Sequence, residues 1–171
     1  MRLRTNTLHR LARLALLTAA ALIVSWLERP LTAALPLPIP GFKLGLANIV
    51  ILFALYRFGF SPALTVQFLR IGLSALLFGT PVSACLSVCG GACAIFSAGA
   101  ICRLPRVSIL GTSFAAAAMH MVGQIAAAAL ILSSAALFTA YLPYLLLLSL
   151  VSGGICGILA QILVKRLPKV G

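Results

Sequence analysis

The chain has 171 residues, 63% of them hydrophobic, and sets 13 Lys and Arg against one acid, for a net charge of +12. A water-facing surface cannot be built from so few polar residues. The cations therefore belong at the ends of membrane-buried segments, and no nucleic-acid partner is implied. A lone Glu28 excludes chemistry that needs several carboxylates, such as a Mg²⁺–diphosphate site; there is no Walker loop for an ATPase, and no cofactor is called for.

The first predicted helix runs from about Leu8 to Leu27, behind Arg2, Arg4, Arg10 and Arg13. The same features fit a cleaved signal peptide, but the apolar stretch is long and is followed by charge instead of a small-residue cleavage site. Residues 28–42 carry Pro30, Pro36, Pro38 and Pro40 and read as a stiff, extended loop. Helix 2 is expected from Lys43 to Phe58. Ser61-Pro62 opens helix 3, and Gly79-Thr80-Pro81 closes it. Helix 4 spans Val82–Cys102, helix 5 Val107–Leu132 and helix 6 Thr139–Val164, with a basic turn at Arg103–Arg106. The expectation is an all-α, polytopic membrane protein: one six-helix transmembrane domain over residues 1–171.

Charge sets the expected orientation. With both termini in the cytoplasm, ten of the 13 cations fall on the inner side (Arg2, Arg4, Arg10, Arg13, Arg57, Arg103, Arg106, Lys165, Arg166, Lys169), as the positive-inside rule requires. Arg29 and Lys43 fall outside, and Arg70 lies within helix 3.

Arg70 stands near mid-membrane, where a cation is costly and faces a cavity or a partner. Gln67 and Ser74, at i−3 and i+4, share its face. Either this stripe touches substrate or Arg70 caps carbonyls of a neighbouring helix. His120 and Gln124 form a second pair in helix 5, extended by Ser113 and Ala117; interhelical hydrogen bonding and a binding site explain them equally well. Lys43 enters the membrane with Asn48 one to two turns later, and Gly41 and Gly45 permit close backbone approach; with Glu28, Arg29 and the proline-rich loop this stretch is expected to form a net-positive outer cap. Lys43 also fits a snorkelling interfacial residue. Cys85, Cys89 and Cys93, with Ser97, recur every fourth residue and read as small-residue packing. The five cysteines follow no disulfide or zinc spacing, so no metal site is expected. Lys and Arg converging without an acid favour a small anionic substrate.

Three stretches, PGFKLGLANIV (Pro40–Val50), LRIG…LLFGT (Leu69–Thr80) and MHMVGQ (Met119–Gln124), together resemble the small bacterial membrane family called Gx transporter, also labelled heptaprenyl diphosphate synthase component I. That family is similar in turn to the substrate-binding (S) components of energy-coupling factor transporters. The resemblance implies six helices and a first outer loop covering the substrate. It further implies a docking patch of the Ala-x-x-x-Ala type on helix 1, matched by Ala15 and Ala19, and partners in an energy-coupling transmembrane subunit and ATPases. The family's usual Asn after the helix-5 His is Met121 here. The expected function is capture of a small substrate from outside a bacterial plasma membrane, using Lys43, Asn48, Gln67, Arg70, His120 and Gln124, with no enzymatic activity of its own. The alternative is a non-catalytic membrane subunit beside a prenyl diphosphate synthase catalytic subunit, serving isoprenoid-quinone precursor metabolism. A third option is an assembly scaffold.

Overall fold

The computed structural model describes residues 2–34 and 43–167, with side chains from Thr7 onward. Within these residues the chain is all-helical: α1 (Arg2–Ala33), α2 (Asn48–Phe58), α3 (Phe60–Phe78), α4 (Pro81–Ile101), α5 (Ile109–Ile131) and α6 (Ala135–Arg166). Five of these helices are long and apolar enough to cross a bilayer, and the chain is a multi-pass membrane protein. α2 is shorter. Its 11 residues cover about 16 Å, roughly half of a ~30 Å hydrocarbon core.

Local chemistry sets the boundaries. Thr80 caps α4 by accepting from the Ser83 amide, with Pro81 in the first turn. Ser108 caps α5 through the Gly111 amide. Gly59, at φ 91°, reverses the chain between α2 and α3 in one residue, a conformation essentially confined to glycine.

Helices 1 and 6 begin earlier than expected, at Arg2 and Ala135, and two further changes bear on the site. Residues 28–33 are helical, not part of an extended loop. Pro30 deletes one backbone donor, but α1 continues for a turn, with the Ala34 amide donating to the Pro30 carbonyl at 3.2 Å and Thr32 Oγ1 to the Glu28 carbonyl at 2.7 Å. Helix 2 begins at Asn48 instead of Lys43, because Gly45 takes φ 85° and interrupts the helical path. The stiff loop expected at Pro36, Pro38 and Pro40 lies outside the described residues.

α2 touches every other helix, and its residues Val50–Leu55 are all buried. α1 presents Thr18, Ala21, Ser25 and Glu28 inward, an i, i+3, i+7, i+10 face. α4, α5 and α6 pack through glycine. A Cβ on Gly123 would stand 2.9 Å from the Gly90 Cα, and one on Gly157 would stand 2.9 Å from the Ser113 Cβ. Between apolar helices in lipid the stabilising gain comes from such close contact. Ser113 adds a 2.7 Å hydrogen bond to the Gly153 carbonyl. α1 and α3 run parallel: Ser25 meets Arg70, and Arg29 lies over the Phe78 ring at 5.1 Å. The start of α1, the α2–α3 and α4–α5 connections and the end of α6 thus share one end, where Arg57 donates to the Leu167 carbonyl.

Candidate functional site

The site is built around the non-helical lead-in to α2. Irregular backbone at membrane depth is tolerated only where protein satisfies its polar groups, and here two side chains do so. The Gln124 amide brackets Lys43: Oε1 accepts from the Lys43 amide at 3.0 Å, and Nε2 donates to its carbonyl at 2.8 Å. The Glu28 carboxylate accepts from the Gly45 amide at 2.6 Å and the Leu46 amide at 3.0 Å. The negative charge stands at the positive end of the α2 dipole. The Gly45 and Leu46 carbonyls accept from the Asn48 and Ile49 amides, with the Cys156 thiol 3.8 Å from each carbonyl.

Beside this segment lies a chain of buried polar groups. Lys43 does not reach for the interface; its Nζ turns inward and donates to Ser87 of α4 at 2.9 Å. Arg70 is 3% exposed. Its Nε and Nη2 donate to Gln67 Oε1 at 3.2 and 3.1 Å, and Nη1 donates to Ser25 of α1 at 3.1 Å. Gln67 in turn donates to the Gly91 carbonyl at 3.0 Å. That approach needs glycine, since a Cβ on Gly91 would fall 2.5 Å from Gln67 Nε2.

His120 sits between two glycines. A Cβ on Gly45 would stand 3.0 Å from its Cδ2, and one on Gly90 would stand 3.1 Å from its Cε1. The ring is buried and lies against the Gly90 backbone, but neither nitrogen meets a partner at hydrogen-bonding geometry; nor do Asn48 Oδ1 and Ser74 Oγ. Such orphans are rare in folded interiors. Asn48 also lines a cavity of about 10 Å³ beside Ala94, Ala98 and Ala116, room for at most one water.

The fold brings the six residues expected at the site, Lys43, Asn48, Gln67, Arg70, His120 and Gln124, to one region around residues 43–48 and Gly90–Gly91. Ser74 is buried on the Arg70 face, but without a partner. Ala15 and Ala19 are separate from it, exposed on the outer face of α1. The expectation of cations without an acid is corrected: Glu28 is 2% exposed at the same locus, and its charge acts on both Arg70 and Lys43. Ser25 and Ser87 are contacts that sequence reasoning left out, and Glu28, expected with Arg29 and Lys43 in an outer cap, instead turns inward onto the Gly45 and Leu46 amides. The available signal was the only acid in the chain lying three residues beyond Ser25 and seven beyond Ala21 on one apolar helix. The cysteine stripe runs along the outer side of α4, with Cys85 exposed and Cys89 and Cys93 partly so. Among the described residues no group of His, Cys, Asp or Glu is placed to hold a metal.

No curated protein and no solved structure matches the chain. Residues 17–163, most of its length, match the family described as heptaprenyl diphosphate synthase component I, and the chain belongs to that family.

Proposed function

We propose that the protein is a non-enzymatic, substrate-binding membrane subunit that captures a small molecule carrying an anionic group. The observation that carries this reading is the buried His120 ring, neither of whose nitrogens meets a partner at hydrogen-bonding geometry, beside a broken lead-in to α2 and an equally unmatched Oδ1 on Asn48, the first residue of α2. Interrupted helices that line buried polar loci are how membrane transporters build substrate sites. Lys43 and Arg70 against Glu28 leave a net positive locus, and Glu28 is already engaged by two backbone amides. That engagement also argues against Glu28 as a catalytic acid. Because residues 43–48 pack directly on His120, binding is coupled to movement of this segment.

In this reading the basic end, with Arg10, Arg13, Arg57, Arg103, Arg106, Lys165 and Arg166, faces the cytoplasm of a bacterial cell. Transport would draw on a separate coupling subunit and ATPases docked at Ala15 and Ala19. The family's description supports a second reading, in which the chain is the membrane partner of a prenyl diphosphate synthase catalytic subunit.

The test is purification of the full chain from its own membranes, followed by mass spectrometry of bound small molecules and co-purifying proteins. A retained anionic metabolite that disappears in His120→Leu, while the variant still melts cooperatively, supports substrate capture. Co-purification of a soluble prenyl synthase with no bound metabolite supports the second reading. If His120→Leu is more stable and nothing else changes, the imidazole is structural and the binding proposal fails.

A further inference from the structure

At the basic end, away from the site above, Arg10, Arg13, Leu14 and Leu17 of α1 face Phe58 at the end of α2 and Pro62 in the first turn of α3 across a cavity of about 350 Å³. That volume lies in the range of small-ligand sites. Its lining is ordered along the helix axis. Arg10 stands at the outer end, Arg13 and Leu14 about one turn deeper, and Leu17 about a further turn along. Arg13 is held in place by the Phe58 ring, 5.5 Å from its Cζ, and by a 3.3 Å bond from Nε to the His9 carbonyl. Neither contact neutralises its charge. The only acid side chain is Glu28, fifteen residues further along α1, about 22 Å away, and committed to Gly45 and Leu46.

We propose that this cleft binds an anionic phospholipid, with its phosphate between Arg10 and Arg13 and an acyl chain along Leu14, Leu17 and Phe58. Charge complementarity selects the phosphate. The charged-then-apolar order matches an amphiphile lying in the leaflet, unlike a free anion, which would leave the apolar floor uncovered.

The test uses the full chain released from nanodiscs that contain equal amounts of phosphatidylglycerol and phosphatidylcholine, with retained lipid counted by native mass spectrometry. Wild type is expected to keep phosphatidylglycerol selectively. Arg10→Gln with Arg13→Gln should lower its retention about fivefold per arginine. Leu17→Trp, which fills the apolar end and leaves both charges, should also expel the lipid. Arg103→Gln with Arg106→Gln removes equal charge from the same end but outside the cleft, and should retain it. Equal loss in that control, or full retention in Leu17→Trp, overturns a defined site. Displacement of the lipid by stoichiometric farnesyl diphosphate overturns the phospholipid as occupant in favour of a prenyl diphosphate. Displacement by inorganic phosphate alone overturns the amphiphile.

Discussion

Gly45 and Gly59 both take positive φ, at 85° and 91°, yet only one carries the site. A Cβ on Gly59 meets nothing within 4 Å, whereas one on Gly45 presses on His120 and Asn48. Alanine at either position should cost about 1–3 kcal/mol through backbone strain, read as a lowered melting temperature in detergent. Only Gly45→Ala should also shift the His120 ring resonances in an NMR spectrum; equal shifts in both variants would show that His120 does not rest on Gly45. Glu28→Gln puts an NH2 donor against one of the two backbone amides that the carboxylate oxygens now accept from, and leaves Arg70 and Lys43 uncompensated. A loss of about 1–3 kcal/mol is expected, and Arg70→Met in the same chain should recover part of it. A double-mutant cycle with no coupling energy would contradict the interaction of the two charges. At this scale the burial of Arg70, Gln67, His120 and Gln124 was legible in the sequence, because polar residues in apolar helices have few explanations. The inward turn of Glu28 was not, because Pro30 two residues later makes an extended chain the reasonable expectation there.

At the scale of elements, α1 has two faces with different chemistry. The inner face holds Ser25 and Glu28, while Ala12, Ala15 and Ala19 are exposed. Ala15→Trp with Ala19→Trp should therefore leave the unfolding free energy within about 1 kcal/mol of wild type, as for exposed positions generally. In the transport reading it should abolish association with a coupling subunit, measured by co-purification; retained association would remove that role from the face. The lead-in to α2 shows where element prediction from sequence runs out. Hydropathy marks residues 43–58 as one apolar segment, and nothing local reports that Gln124, 81 residues away, claims the Lys43 backbone.

For the whole molecule, the all-helical, multi-pass architecture was legible from composition and proline–glycine punctuation alone. The centrality of α2 was not, since packing partners are set by helix faces and small residues spread across the chain. The orientation proposed from charge is open to a direct test: with native cysteines replaced, a membrane-impermeant maleimide applied outside cells should label Ser134→Cys and spare Arg103→Cys. The reverse pattern would invert the proposed topology.

The reach of Glu28 across 17 residues to Gly45 constrains biogenesis. When α1 leaves the ribosome and meets the translocon, the amides that will receive its carboxylate have not yet been inserted. Until residues 45–46 arrive, α1 carries an acid into the bilayer without partners, and Arg70 of α3 follows later still. α1 and the α2 lead-in are therefore expected to partition into lipid as a pair. A nascent chain halted before Gly45 should linger at the translocon, and one carrying Glu28→Leu should be released early.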